Sequence, residues 1–245
     1  MKNKPTLALL SCDTPKQIFD SLEALGFSVC PLSRDLRLPK PVSSHADMLI
    51  FPLGDRVFCS EGYFNDNKAT FERLEEYGYR VIKCKVVPSD TYPYDIPFNL
   101  VYIKEHIIGK INFTASEIIS YAQDKGIGLI SVNQGYTKCS TLTLGENAVI
   151  SADSCISAAA EKLGLSCLKI KNSPSAVTLK GYDYGFIGGA CGVFGHKVYF
   201  AGNIERHPDF LQIKDFCNIF NYELISLCNT QLTDIGGITF LPPLR

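Results

Sequence analysis

"CSTLTLGENAVISADSCISAAAEKLGLSCLKI", residues 139–170, carries one complete structural unit. CSTLTL alternates apolar and polar residues, a turn falls at Gly145-Glu146-Asn147, and the short apolar run AVISA follows, as expected of a β-hairpin. SCISAAAEKLG has helical spacing and stops at Gly164, a residue suited to the left-handed cap that ends a helix. LSCLKI then reads as a third strand. The order is strand, strand, helix, strand.

The same order recurs along the chain. From His45 it runs ADMLIF, a turn at Leu53-Gly54-Asp55, RVFCS, the helix ATFERLEEYG and the strand YRVIKCKVV. From residue 97 it runs PFNLVYI, a turn at Lys104-Glu105, HIIGKINF, the helix TASEIISYAQDKG and the strand IGLISV. There, Thr114 and Glu117 have the spacing of a capping box. A further copy reads YGFIGGACG, a turn near Phe194-Gly195-His196, KVYFAGN, the helix HPDFLQIKDFCNIFN and the strand YELISL. Gly78, Gly126, Gly164 and Asn221 stand at the four helix ends.

Two fragments remain, and they are complementary. The C-terminal LTDIGGITFLPPLR supplies a first strand, while the N-terminal PTLALLSC, TPKQIFDSLEALG and FSVCPL supply a second strand, a helix and a third strand. Joined, they make a fifth unit, so residues 1–245 are expected to form a single α/β domain. That domain is a five-bladed propeller of ββαβ repeats whose last repeat is shared between the termini. The alternative is a two-domain α/β chain. A Rossmann fold fits worse, because the hairpins demand antiparallel pairs and GGACGVFG, residues 188–195, leads into a strand rather than a helix.

Composition narrows the function. Lys plus Arg number 24 against 25 Asp plus Glu, without a run of like charge, so neither nucleic acid nor an anionic membrane is an expected partner. The N-terminal apolar run is too short for a secretion signal or a membrane span, which predicts a cytoplasmic protein. Ten cysteines are present, but no C-x-x-C pair, so disulfides, a zinc site and a redox motif are not expected, and no metal or cofactor is called for.

The five-fold pattern as a whole resembles the penteins, the fold of the guanidino-group-modifying enzymes: arginine deiminase, dimethylargininase, agmatine deiminase and the amidinotransferases. A non-enzymatic translation factor shares that fold. HADMLIFPLGD, QGYTKCST, FIGGACG and LTDIGG resemble stretches of an uncharacterised bacterial family assigned to the same fold. The resemblance implies a substrate at the ring's centre, a Cys thiolate that attacks a guanidinium carbon, a His that moves protons, and carboxylates that hold the planar cation.

His45-Ala46-Asp47 followed by MLIF resembles the His-x-Asp motif carrying the catalytic His, and in a strand the two side chains share a face. The sequence departs from the enzymes where they place their nucleophile, near the C-terminus, because no cysteine follows Cys228. Cys139, at the start of an inner strand, is the nucleophile candidate, and Cys191, in the glycine-rich run, is the second. Lys138 is expected to lower the Cys139 pKa if the chain there is not yet regular strand. Asp234, between Thr233 and Gly236-Gly237, is the preferred second carboxylate.

Asp153, Asn203 and His207 are further substrate-binding candidates, each with a capping alternative: Asp153 as a helix N-cap, and His207-Pro208 as a helix start. His106 and His196 are expected to be exposed. The loop RDLRLPKPVSS is positioned to overhang the centre. Two classes of function remain: a Cys-dependent hydrolase or transferase acting on a guanidino or amidino small molecule, or a non-catalytic protein that binds a small ligand or partner on the same face.

Overall fold

The computed structural model describes residues 4–244. The chain starts with β1 (Leu7–Ser11), α1 (Lys16–Ala24) and β2 (Ser28–Leu32). A short helix α2 (Ala46–Leu49) leads into β3 (Ile50–Leu53) and β4 (Arg56–Ser60), followed by α3 (Glu61–Asp66), α4 (Lys68–Glu76) and β5 (Arg80–Cys84). The next unit holds β6 (Val101–Ile103), β7 (His106–Gly109), α5 (Ser116–Asp124) and β8 (Gly128–Ser131). After it come β9 (Thr141–Leu144), β10 (Ala148–Ser151), α6 (Ser154–Lys162) and β11 (Ser166–Lys169). A two-residue β12 (Val177–Thr178) precedes β13 (Cys191–Phe194), β14 (Lys197–Phe200), α7 (Phe210–Ile219) and β15 (Glu223–Ser226). The chain finishes with β16 (Leu232–Thr233) and β17 (Thr239–Leu241).

Among the described residues, five three-stranded sheets form, each with an antiparallel pair and a third strand parallel to the middle one. The fifth joins the two ends of the chain: β17 pairs antiparallel with β1, Leu7 opposite Leu241, and β2 pairs parallel with β1. One small sheet was not anticipated: β12 pairs parallel with β16.

The middle strands read as apolar runs because both of their faces are buried. Along β1, Leu7 and Leu9 enter a cluster with Ile50, Val57 and Phe71, while Ala8 and Leu10 enter one with Tyr199, Ala201 and Leu227. β4 divides in the same way, Val57 and Cys59 to one side and Phe58 to the other, where it meets Phe98 and Ile107. Ile108 of β7 packs with Val149 of β10, whereas Ala148 and Ile150 pack with Val198 and Phe200 of β14. Each cluster is thus shared by two successive sheets. Helix ends follow the sequence reading: Gly26, Gly78, Gly126 and Gly164 have positive φ, and so does Asn221 at 60°.

Three local expectations are corrected. Thr114 and Glu117 make no capping box. The chain first turns through a 3-10 helix at Ile111–Phe113 and α5 starts after Ala115, leaving the Thr114 hydroxyl buried without a partner; the Glu117 carboxylate instead accepts the Lys85 N–H at 2.9 Å. α7 begins at Phe210, so Pro208 lies ahead of the helix rather than at its first position. His45 and Asp47 are not strand neighbours, because His45 caps α2 and Asp47 lies within it.

Leu9 is fully buried between the terminal sheet and the β3–β5 sheet. Leu9→Ala is expected to destabilise the protein by about 2–5 kcal/mol in urea unfolding. A loss below about 1 kcal/mol would show that this contact is not structural.

Candidate active site

The site forms where the segments just ahead of the five first strands converge. His45 and Asp47 precede β3, Asn99 precedes β6, Cys139 precedes β9, Gly189 precedes β13, and Asp234 and Gly236 precede β17. Hydrogen bonds link each segment to the next. Asn99 Nδ2 reaches Met48 Sδ at 3.3 Å, and Asn99 Oδ1 accepts the Lys138 N–H at 2.7 Å and the Cys139 N–H at 3.3 Å. The Gly189 N–H donates to the Cys139 carbonyl at 2.9 Å, and the Gly189 carbonyl accepts from the N–H groups of Ile235 (2.9 Å) and Gly237 (2.7 Å). The Asp47 N–H donates to the Gly236 carbonyl at 3.2 Å.

Close approach explains two of the glycines. A Cβ at Gly189 would collide with the Asp234 carboxylate, and one at Gly236 would collide with the His45 side chain.

Cys139, Asp47, His45, Asp234 and Asn99 are all buried. The Cys139 thiol donates to Asp47 Oδ2 at 2.9 Å and accepts from Asn99 Nδ2 at 3.0 Å. The other Asp47 oxygen is buried without a partner. Asp234 Oδ2 accepts the Phe186 N–H at 2.9 Å and Oδ1 accepts the Gly236 N–H at 3.0 Å, so this residue also holds the local backbone in place. His45 Nδ1 stands 3.8 Å from Asp234 Oδ1, beyond hydrogen-bond range but favourable for a protonated ring.

Electrostatics set the resting protonation. Burial, reinforced by the Asp234 charge and opposed by the Cys139 bond and the Lys138 charge, pushes the Asp47 carboxyl up to about 7. Burial and the same two carboxylates hold the Cys139 thiol well above its ordinary value, with only the Asn99 bond opposing. Burial also pulls His45 down, against the charges of Asp234 and Asp13. The expectation that Lys138 would activate Cys139 is therefore corrected. Residues 137–140 do form a turn, but the Lys138 ammonium approaches the Gly188 carbonyl at 3.5 Å, and its charge bears on Asp47 and Cys191.

A cavity of about 230 Å³ opens over Cys139, His45 and Asp234, walled by Tyr136, Tyr182, Tyr184 and Phe186 with Val42, Leu179 and Asp183. Val42 is the contribution of the 34–44 loop. On the other side of the Cys139–Asp47 bond lies a second cavity of about 240 Å³, lined by first strands of all five sheets together with Asp47 and Lys138. Cys191 lines this second cavity; burial pushes its thiol up to about 12.

Asp153, Asn203 and His207 follow second strands and line neither cavity. Asp153 caps α6, accepting from Cys155 and Ile156, and also holds Gln134. Asn203 caps the Ile204–Arg206 turn. His207 Nδ1 accepts the Asp209 N–H at 3.0 Å, which fixes a neutral ring, and burial lowers its pKa. His196 is exposed; His106 is only partly so. Among the described residues no three His, Cys, Asp or Glu side chains converge with metal-binding spacing, and no helix is long and apolar enough to cross a membrane. All ten cysteines are free thiols.

Solved structures of guanidino-group-modifying enzymes superpose over nearly the whole chain. A cysteine-to-serine mutant of DDAH from Pseudomonas aeruginosa, complexed with citrulline, matches with a TM-score of 0.60 at 12% identity, covering 99% of this chain and 100% of that one. An amidinotransferase of the saxitoxin biosynthetic pathway from Microseira wollei gives 0.59 at 9% identity, covering 99% and 96%. Inosamine-phosphate amidinotransferase from Streptomyces griseus gives 0.58 at 10% identity, covering 100% and 95%. The fold is that of the penteins. Residues 9–239 match the model of DUF6873, a family of unknown function, and the chain belongs to that family. No curated protein matches the sequence.

The Asp47 shift dictates a pH dependence. The folded carboxyl keeps its proton to about pH 7 and the unfolded one only to about 4, so folded protein holds more protons in that window and stability falls as pH rises through it. His45 acts in the opposite sense just below its ordinary pKa, where stability rises with pH as the unfolded ring gives up its proton. Asp47→Asn removes the first effect. Its stability relative to wild type is expected to improve by on the order of a few kcal/mol from about pH 4 to about pH 7 in urea titrations. A difference independent of pH would contradict the protonated buried carboxyl.

Proposed function

We propose that this chain is a Cys-dependent enzyme acting on a guanidino or amidino small molecule, with Cys139 as nucleophile, His45 as general acid and base, Asp234 holding the cation and Asp47 supporting it from behind the sulfur. The observation that carries the reading is the shared cavity: a thiol, an imidazole and a carboxylate face one space, with a second carboxylate 2.9 Å behind the sulfur. The guanidino chemistry of the enzymes with this fold supports the substrate class. We also take the five sheets as blades of one closed five-fold ring and one domain, as the shared clusters and linked segments suggest. A reactive thiol among unpaired cysteines fits a reducing cytoplasm.

The thiol is protonated at rest, so the substrate must help ionise it. A guanidinium beside Asp234 and Cys139 offsets the two negative charges that now raise the thiol. The sulfur then forms a bond to the central carbon, and a C–N bond breaks. The departing nitrogen takes the proton the thiol has released, carried by His45, leaving a covalent thiouronium. Water or an amine adds to that carbon, the C–S bond breaks, and the thiol recovers a proton. Whether water or an amine is admitted at this second step separates a hydrolase from a transferase.

The competing reading is a non-catalytic binding protein, favoured by the same buried, protonated thiol. Treatment with 2-chloroacetamidine followed by intact-protein mass measurement distinguishes them. The enzyme reading expects one adduct at Cys139 and loss of turnover by at least about a thousandfold in Cys139→Ala with the fold intact. Failure of Cys139 to react while exposed cysteines do would favour binding alone.

A further inference from the structure

The reading just proposed leaves the substrate's non-reacting part undefined, and the charge of the cavity wall bears on it. Among the described residues, no Lys or Arg lines the space over Cys139. Its charged lining is acidic: Asp234 buried at the inner end and Asp183 exposed at the outer. Lys138 belongs to the opposite cavity, and Lys40 and Lys180, near Val42 and Leu179 in sequence, are exposed and outside the lining. A substrate with an α-amino-acid end would carry its carboxylate into a chamber with two carboxylates and no countercharge, an arrangement that binding sites use to reject a ligand. Citrulline, held by the superposed DDAH structure, has such a carboxylate.

The rest of the wall is aromatic. Tyr136 and Phe186 face each other with ring centroids 6.4 Å apart and planes 30° apart, and Tyr184 meets Phe186 edge-on at 5.8 Å. The Tyr136 hydroxyl donates to Asp95 at 2.6 Å, which fixes that ring in place. Tyr182 and Tyr184 line the cavity and are 44% and 38% exposed, so both side chains are partly open to a ligand. Aromatic faces attract cations and cover alkyl chains.

We infer, building on the proposed guanidino chemistry, that the site takes a guanidine without a carboxylate. Its alkyl tail runs along Tyr136, Tyr182, Tyr184 and Phe186 and carries a second positive charge to Asp183.

Equilibrium binding of three probes to Cys139→Ser, which cannot turn over, tests this: (4-aminobutyl)guanidine, butylguanidine and arginine. The first should bind at least about tenfold more tightly than arginine, and Asp183→Asn in the same background should erase its advantage over butylguanidine. Protection of wild-type Cys139 from 2-chloroacetamidine by the same probes gives the same ranking without relying on the variant's folding. Arginine binding as tightly as the diamine overturns the inference while leaving the guanidino reading standing. A diamine advantage unchanged in Asp183→Asn overturns the tail assignment. No binding or protection by any probe, with Cys139 unreactive toward the reagent, removes the guanidino reading and this inference with it.

Discussion

Gly189 is the residue on which the centre of this molecule turns. Its N–H holds the Cys139 carbonyl, and its own carbonyl receives Ile235 and Gly237, so three of the five converging segments meet at one residue. Any side chain there would strike Asp234. Asn99 performs the matching task across the site, tying Met48 to Lys138 and Cys139 through one buried amide. Buried backbone groups must find partners, and segments that end in non-repetitive turns cannot find them in a sheet. They find them in each other. The catalytic candidates are therefore positioned by the same bonds that hold the sheets' inner ends together.

That arrangement carries an electrostatic cost. Two carboxylates, a thiol and an imidazole are withdrawn from water, and among the described residues no Lys or Arg is bonded to any of them and one Asp47 oxygen has no partner. The protein answers by protonation: Asp47 rises to about 7, Cys139 stays a thiol, and His45 is driven toward its neutral form. A site in this state is electrostatically unfinished, since a cation entering over Cys139 and Asp234 would relieve the Asp47 and Cys139 shifts while keeping His45 neutral and able to take a proton. Perturbed groups facing a cavity are the common mark of a functional site.

The fold was legible because its physics is periodic. Middle strands buried on both faces alternate between two clusters, and the helix α1, α4, α5, α6 or α7 of each unit stops at a glycine or asparagine with positive φ, so LALL, RVFCS, AVIS and KVYF announce themselves. The site was legible in part. Cys139, His45, Asp47 and Asp234 stand out as polar residues just ahead of apolar strands, and the structure brings all four together. Asn99 was missed, since an asparagine between Phe98 and Leu100 reads as an ordinary turn residue. The segment GYDYGF, residues 181–186, was also missed as a wall, because aromatic residues between glycines have no period to follow. Lys138 was misassigned: adjacency in sequence suggested a neighbour for the thiol, whereas the turn sends its ammonium toward Gly188.

The proposed reaction depends on one deprotonation, the ionisation of Cys139 when a cation arrives. The most direct test is the thiolate ultraviolet absorbance of the wild type against Cys139→Ser across pH, with and without a saturating guanidinium ligand. We predict no Cys139 thiolate in the free protein at or above the ordinary thiol pKa of about 8.5, and its appearance near neutrality once the ligand is bound. A thiol that titrates at its ordinary value, indifferent to the ligand, would contradict the account.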